Sequence, residues 1–133
     1  MIDIENRVFT PIAQAVRAEF SGASVTGEYV RAPSKFPHVS ITESDNYMTL
    51  QHLDSADAEK YATIMYEINV YSNKASGKKS EAKAIMALID QMMYSLNFVR
   101  IAMTPVPNLE DSTIYRITAR YRAETDGTRL FRI

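Results

Sequence analysis

The chain has 133 residues and a mass of 15.0 kDa, with 46% hydrophobic and 23% charged residues, the make-up of an average globular protein and far from a disordered one. Fifteen basic against sixteen acidic residues leave a formal charge of -1, so no global field attracts a polyanion and wholesale nucleic-acid binding is not expected. The absence of cysteine excludes disulfides, thiolate nucleophiles and cysteine-ligated zinc.

A chain of this length fits a single domain, residues 1–133, that buries roughly two-thirds of its unfolded surface. No apolar run approaches the roughly 18 to 20 residues of a membrane span. The opening "MIDIENRVF" has neither the basic nor the apolar region of a signal peptide, so the expected compartment is the cytosol. Charge is uneven: Arg116, Arg120, Arg122, Arg129 and Arg132 face only Glu124 and Asp126 near the C-terminus, an excess suited to an interaction surface.

Residues 1–20 read as a helix, because Ile4, Val8, Ile12, Ala15, Val16 and Phe20 recur at steps of three and four. Pro11 lies inside that pattern, so the helix is either kinked there or restarted at Thr10. Two short extended stretches follow, "SVTGEYV" and "PHVSITES", joined by "RAPSKFP" with Pro33 and Pro37. The segment Asp45 to Lys60, polar and without periodicity, reads as a long loop.

From Tyr61 to Ser72 the period is two. Ala62, Ile64, Tyr66, Ile68 and Val70 alternate with Thr63, Met65, Glu67, Asn69 and Tyr71, which predicts a strand with one buried and one solvated face. Ala82, Ile85, Met86, Ile89, Met92, Met93 and Leu96 then mark a long amphipathic helix over about 78–97, in which the methionines are adaptable core filling. "FVRIAMTPVP" reads as a strand ended by Pro105 and Pro107. Tyr115, Ile117, Ala119 and Tyr121 alternate with Arg116, Thr118, Arg120 and Arg122 in a last strand, closed by "ETDGT", and 124–133 reads as a flexible tail. The predicted fold is α+β: an N-terminal helix and a mainly antiparallel sheet with one long helix packed on one face.

The strand-to-helix junction "SNKASGKKSEAK" raises the question of a phosphate site. A P-loop needs a second glycine five residues before the Gly-Lys pair and a hydroxyl after it, but Ser72 and Lys79 stand there. A single glycine also fails the dinucleotide fingerprint. The junction is expected to be a turn in which Ser76 or Ser80 caps the helix. His38 and His52 lack acidic neighbours at metal-ligand spacing and read as surface or edge residues. Asp54, Asp57 and Glu59 cluster in the long loop without calcium-loop spacing and read as a solvated loop. No metal, cofactor or catalytic residue is expected.

Arg116, Arg120 and Arg122 share one strand face, and Glu67 and Asn69 occupy the matching face of the earlier strand. Cross-strand ion pairs account for this pattern, and so does a subunit or partner interface, where arginine's multi-donor head is favoured.

Taken in order, "PHVSITES", "YEINVYSN", the Gly/Lys turn, "EAKAIMALIDQMMYSLNFVR", "TPVPN" and "IYRITARYRA" resemble the tail terminator and minor capsid proteins of long-tailed bacteriophages, a group of head-tail joining proteins, over about residues 33 to 123. The resemblance implies a small non-enzymatic α+β protein that assembles with further copies of itself into a homo-oligomeric six-fold ring on the end of the tail tube. Such a ring stops tube growth and docks to the head. Its implied partners are further copies of itself, the tail tube protein and a head connector or head-completion protein. DNA would pass through without specific binding, and no membrane is involved. The implied location is the virion, reached from the host cytoplasm during assembly. Arg116, Arg120, Arg122 and Glu67 are the interface candidates, with Asp54, Asp57 and Glu59 by charge a candidate channel lining. Another virion assembly part, or a small cytoplasmic ligand-binding or enzyme domain, is the alternative.

Overall fold

A computed structural model describes residues 1–48, 61–107 and 111–132. In chain order these form α1 (Glu5–Glu19), β1 (Ser24–Thr26), β2 (His38–Met48), β3 (Ala62–Ser72), α2 (Lys78–Ser95), β4 (Val99–Val106), β5 (Tyr115–Thr125) and β6 (Leu130–Phe131). The strands make one mixed sheet of order β1-β2-β3-β5-β4, with β6 added to β5. Only the β1–β2 pair is parallel; the other pairs are antiparallel. The α+β expectation holds.

The register explains the core. Val39, Val70 and Ile117 lie abreast, as do Ile41, Ile68 and Ala119, then Tyr66 and Tyr121, then Ile64 and Ala123. All of these side chains are buried. Because side chains alternate across a strand, the rows between them point to the opposite face. On the apolar face α2 lies over β3, β5 and β4 through Ala82, Ile85, Met86, Ile89 and Met93. The long helix does not cover the sheet by itself. The 15-residue α1 packs beside it, towards β1, and contributes Val8, Ile12, Ala13 and Val16 to the same core.

Several expectations need correction. Helix α1 runs from Glu5 through Pro11 to Glu19, so of the two alternatives at Pro11 the restart at Thr10 is excluded. Strand β2 continues to Met48, so the first part of the expected loop, Asp45–Met48, is strand paired with β3. A bulge between Glu43 and Asp45 breaks the alternation there and hides the strand in the sequence. The rest of that stretch, with His52, Asp54, Asp57 and Glu59, lies outside the described residues. Strand β4 passes through Pro105, which sits opposite Ile117. An edge strand tolerates a missing donor on its outer side, so proline does not end it.

Residues 124–132 are not a tail. Strand β5 extends to Thr125, and the Asp126–Gly127 turn returns the chain as β6. Asp126 Oδ1 accepts from the amides of Thr128 (2.8 Å) and Arg129 (2.7 Å), while Gly127 takes the left-handed φ of 93° that the turn demands. Leu130 is buried, which anchors the hairpin.

The two ends of α2 are built differently. At its start Gly77 is the cap residue, with φ 92° and no side-chain cap, so neither Ser76 nor Ser80 plays the expected part. Instead the Ser72 hydroxyl at the end of β3 donates to Glu81 Oε1 at 2.7 Å and fixes the entry angle of the helix. At its end the amides of Asn97 and Phe98 return to the carbonyls of Tyr94 and Met93, a Schellman closure with Asn97 at φ 69°. Phe98 is thereby turned into the core, edge-on to Tyr66 with ring centroids 5.6 Å apart.

Candidate functional site

The sheet face opposite the helices carries the polar residues singled out in the sequence. Across β2, β3, β5 and β4 the rows are His38, Tyr71, Arg116 and Val106; then Ser40, Asn69, Thr118 and Thr104; then Thr42, Glu67, Arg120 and Ala102. The register thus brings Glu67 opposite Arg120, and Asn69 beside Arg116 and Arg122's strand, as the alternation demanded. What the alternation alone did not reveal is that the face divides into a closed corner and an open end.

Asn69 is the hub of the closed corner and is fully buried rather than solvated. Its Oδ1 accepts from Arg116 Nε at 2.9 Å and from the Thr118 hydroxyl at 2.6 Å, and its Nδ2 donates to Glu67 Oε1 at 3.4 Å. The Arg116 guanidinium lies 5.8 Å from the Tyr29 ring centroid and 5.5 Å from that of Tyr71, between two aromatic faces. Tyr29 comes from the β1–β2 connection, so this stacking ties that connection to the sheet. His38 is likewise no surface residue. It is 3% exposed, tilted against Tyr71 at 6.0 Å, and burial lowers its pKa. Burial also pushes the Tyr71 phenol up, against the opposing pull of Arg116.

Arg120 and Arg122 belong to the open end. Arg120, 59% exposed at its side chain, keeps an ion pair with Glu67 at 3.7 Å, the cross-strand pair foreseen from the pattern. Exposed pairs of this kind contribute at most about 1 kcal/mol. Arg122 is half-buried opposite Met65 and Val99, with its Nε unpartnered. Of the three arginines, Arg116 is committed to internal structure, and Arg120 is the one most available to a partner.

Sequence reasoning missed Tyr29, Tyr71, His38 and Thr118 as parts of one network. A signal existed: Asn69, a poor strand former, lies between Ile68 and Val70 in the most apolar strand, where only a satisfied polar group is tolerated. The period of two puts Tyr71 beside Asn69 and Thr118 beside Arg116, but no spacing links the two strands to each other or to Tyr29 and His38.

Two further polar groupings lie at the opposite margins of the sheet. At the α2–β4 seam the Tyr121 hydroxyl donates to Asp90 Oδ1 at 2.8 Å, and Arg100 pairs with Asp90 Oδ2 at 3.3 Å. Both carboxylate oxygens of Asp90 are thus engaged, which leaves it a poor candidate for acid–base work. At the bulge of β2, Glu43 stands on the helix side near Asp3 and Glu5. Burial, and then those two carboxylates, raise its pKa, while Asn46 opposes the rise. The Tyr66 phenol, buried beside it, is pushed up by burial and then by Glu43, Glu5 and Asp3, and has no hydrogen-bond partner. Among the described residues no group of three or more histidine, aspartate or glutamate side chains could hold a metal ion. Nor is any described helix long and apolar enough to cross a membrane. No family model and no curated protein matches the sequence.

Proposed function

We propose that the protein is a structural virion component of a long-tailed bacteriophage, a non-enzymatic subunit of a homo-oligomeric ring that terminates the tail tube and joins tail to head. The observation that carries this reading is the open end of the sheet face, where Arg120 stands exposed on the side of β5 turned away from the two described helices. The stretches that carry the resemblance fall on consecutive elements, β2, β3, α2, β4 and β5. The ring's partners are copies of itself, the tail tube protein and a head connector or head-completion protein, and its place is the virion.

Negative-stain imaging of the purified chain, alone and mixed with tail tubes, tests this reading. Rings, or caps on tube ends, are the expected result. A stable two-fold dimer at every concentration, with no binding to tubes, would refute it. Charge reversal by Arg120→Glu should weaken assembly while leaving the melting temperature nearly unchanged, because the pair it breaks is exposed. The same reversal at Arg116 is a poor test, since it would disrupt the buried network at Asn69 as well.

A further inference from the structure

The sheet ends in two margins with unused hydrogen-bonding capacity. Strand β1 pairs only with His38–Ser40 of the 11-residue β2, so Ile41–Met48 has no strand on its outer side among the described residues. At the other margin the 8-residue β4 is paired with β5 alone. The two free stretches have the same length.

Exposed strand edges are usually guarded by charge, proline or a bulge. Both edges here have a bulge, at Glu43/Asp45 and at Arg100/Ala102, and β4 has Pro105. Yet each also presents large apolar side chains to solvent: Tyr47 at 47% exposure with Met48 beside it on β2, and Ile101 at 47% on β4. Guarding alone does not account for these, because exposed apolar residues on an edge invite pairing.

The charges differ between margins. Glu43 and Asp45 lie on β2, with Asp3 and Glu5 near Glu43. Arg100, paired with Asp90 of α2, lies on β4, and Arg120 and Arg122 stand one strand inward, opposite Ala102 and Val99. Arg120 keeps its exposed pair with Glu67 on the β3 side, and Ala102, opposite it on β4, is short. Two β2 edges brought together would oppose acid to acid, and two β4 edges would oppose arginine to arginine. An acidic edge against a basic one is attractive.

Strand direction points the same way. The pairs β2–β3, β3–β5 and β5–β4 are all antiparallel, so β4 runs opposite to β2. A second copy set alongside in the same orientation therefore presents its β4 antiparallel to β2, with the helices of both copies on one side of a continuous sheet.

The geometry points to a head-to-tail interface in which the β2 edge of one copy, Ile41–Met48, pairs with the β4 edge, Val99–Val106, of the next. The contact is heterologous, so repetition closes a ring or extends a row. This inference rests on the reading that the protein forms a homo-oligomeric ring, and it names the surfaces that would close it. The bulges limit the registers the two edges can adopt without preventing the contact.

The lack of native cysteine makes a direct test available. Tyr47→Cys and Ile101→Cys are prepared separately, alone and mixed, and as a double variant, and each is exposed to mild oxidation at the highest concentration the wild-type chain tolerates. The mixture should cross-link at least about tenfold more than either single variant alone, a preference equivalent to about 1.4 kcal/mol. The double variant should give a ladder of oligomers. Self-cross-linking of either single variant as fast as the mixture, or no cross-linking in the mixture, would overturn the inference. Rings on tail tubes without cross-linking would refute these edges and spare the ring reading. A ladder from a protein that ignores tail tubes would keep the edges and refute the tail-terminator reading.

Discussion

Replacing Asn69 by alanine tests whether the closed corner of the open sheet face is held by its hydrogen bonds. The substitution removes the acceptor for Thr118 Oγ1 and Arg116 Nε and leaves the Thr118 hydroxyl, on a residue 8% exposed, without its partner. An unsatisfied buried polar group costs about 1–3 kcal/mol, and a hydrogen bond from a charged donor contributes about 1.5–3 kcal/mol. Arg116 is half-buried and can recover part of its solvation from water, so the expected loss is about 2–3 kcal/mol. For a chain of this length that corresponds to a drop in melting temperature of about 7–11 °C. Urea denaturation should show a lower midpoint with an unchanged slope. In a Thr118→Val background the same substitution should cost at least about 1 kcal/mol less, because the orphaned hydroxyl is already gone. Ser40, directly opposite Asn69, is the control. Its hydroxyl is buried without a partner, so Ser40→Ala should cost little or nothing. A loss below about 0.5 kcal/mol for Asn69→Ala, or the same loss with and without Thr118, would refute the hub role.

Glu43→Gln should raise the melting temperature at neutral pH and have little effect near pH 4. The carboxyl's folded pKa lies above its unfolded value, so its contribution to stability is present at low pH and is lost as pH rises through the folded value; calorimetry across that range checks it. Tyr66, Tyr71 and Tyr121 all hold their protons more tightly when folded, so stability should fall as pH rises beyond about 10, with their phenolate absorbance appearing together with loss of far-ultraviolet helix signal. Phenolate absorbance from these three in a still-folded chain would refute that burial. Gly77→Ala should cost about 1 kcal/mol in chemical denaturation, through backbone strain alone, since an added Cβ meets nothing within 4 Å. Gly77→Asn, which tolerates the left-handed conformation better, should recover part of that loss.

The sequence by itself determined the elements with a strict period. Strands β3 and β5 and helix α2 were legible because one face of each is apolar at every expected step, and the α+β class follows from their order. The alternation also placed Glu67 opposite the arginine face correctly, and the spacing around Gly77 already ruled out a phosphate loop. Tertiary structure decided what local pattern could not. The bulge in β2 shifts its alternation by one residue, so Asp45–Met48 read as loop until the pairing with β3 supplied its register. Pro105 looked like a stop because only the sheet order reveals that β4 is an edge. The hairpin through Asp126–Gly127 depends on the burial of Leu130, a single side chain too short in sequence to show a period. The division of one arginine strand into a half-buried Arg116 and an exposed Arg120 depends on Tyr29, which the chain brings over one end of the sheet from far away in sequence. Burial on the second face of a sheet is a property of what folds across it, and one strand's own residues do not encode that.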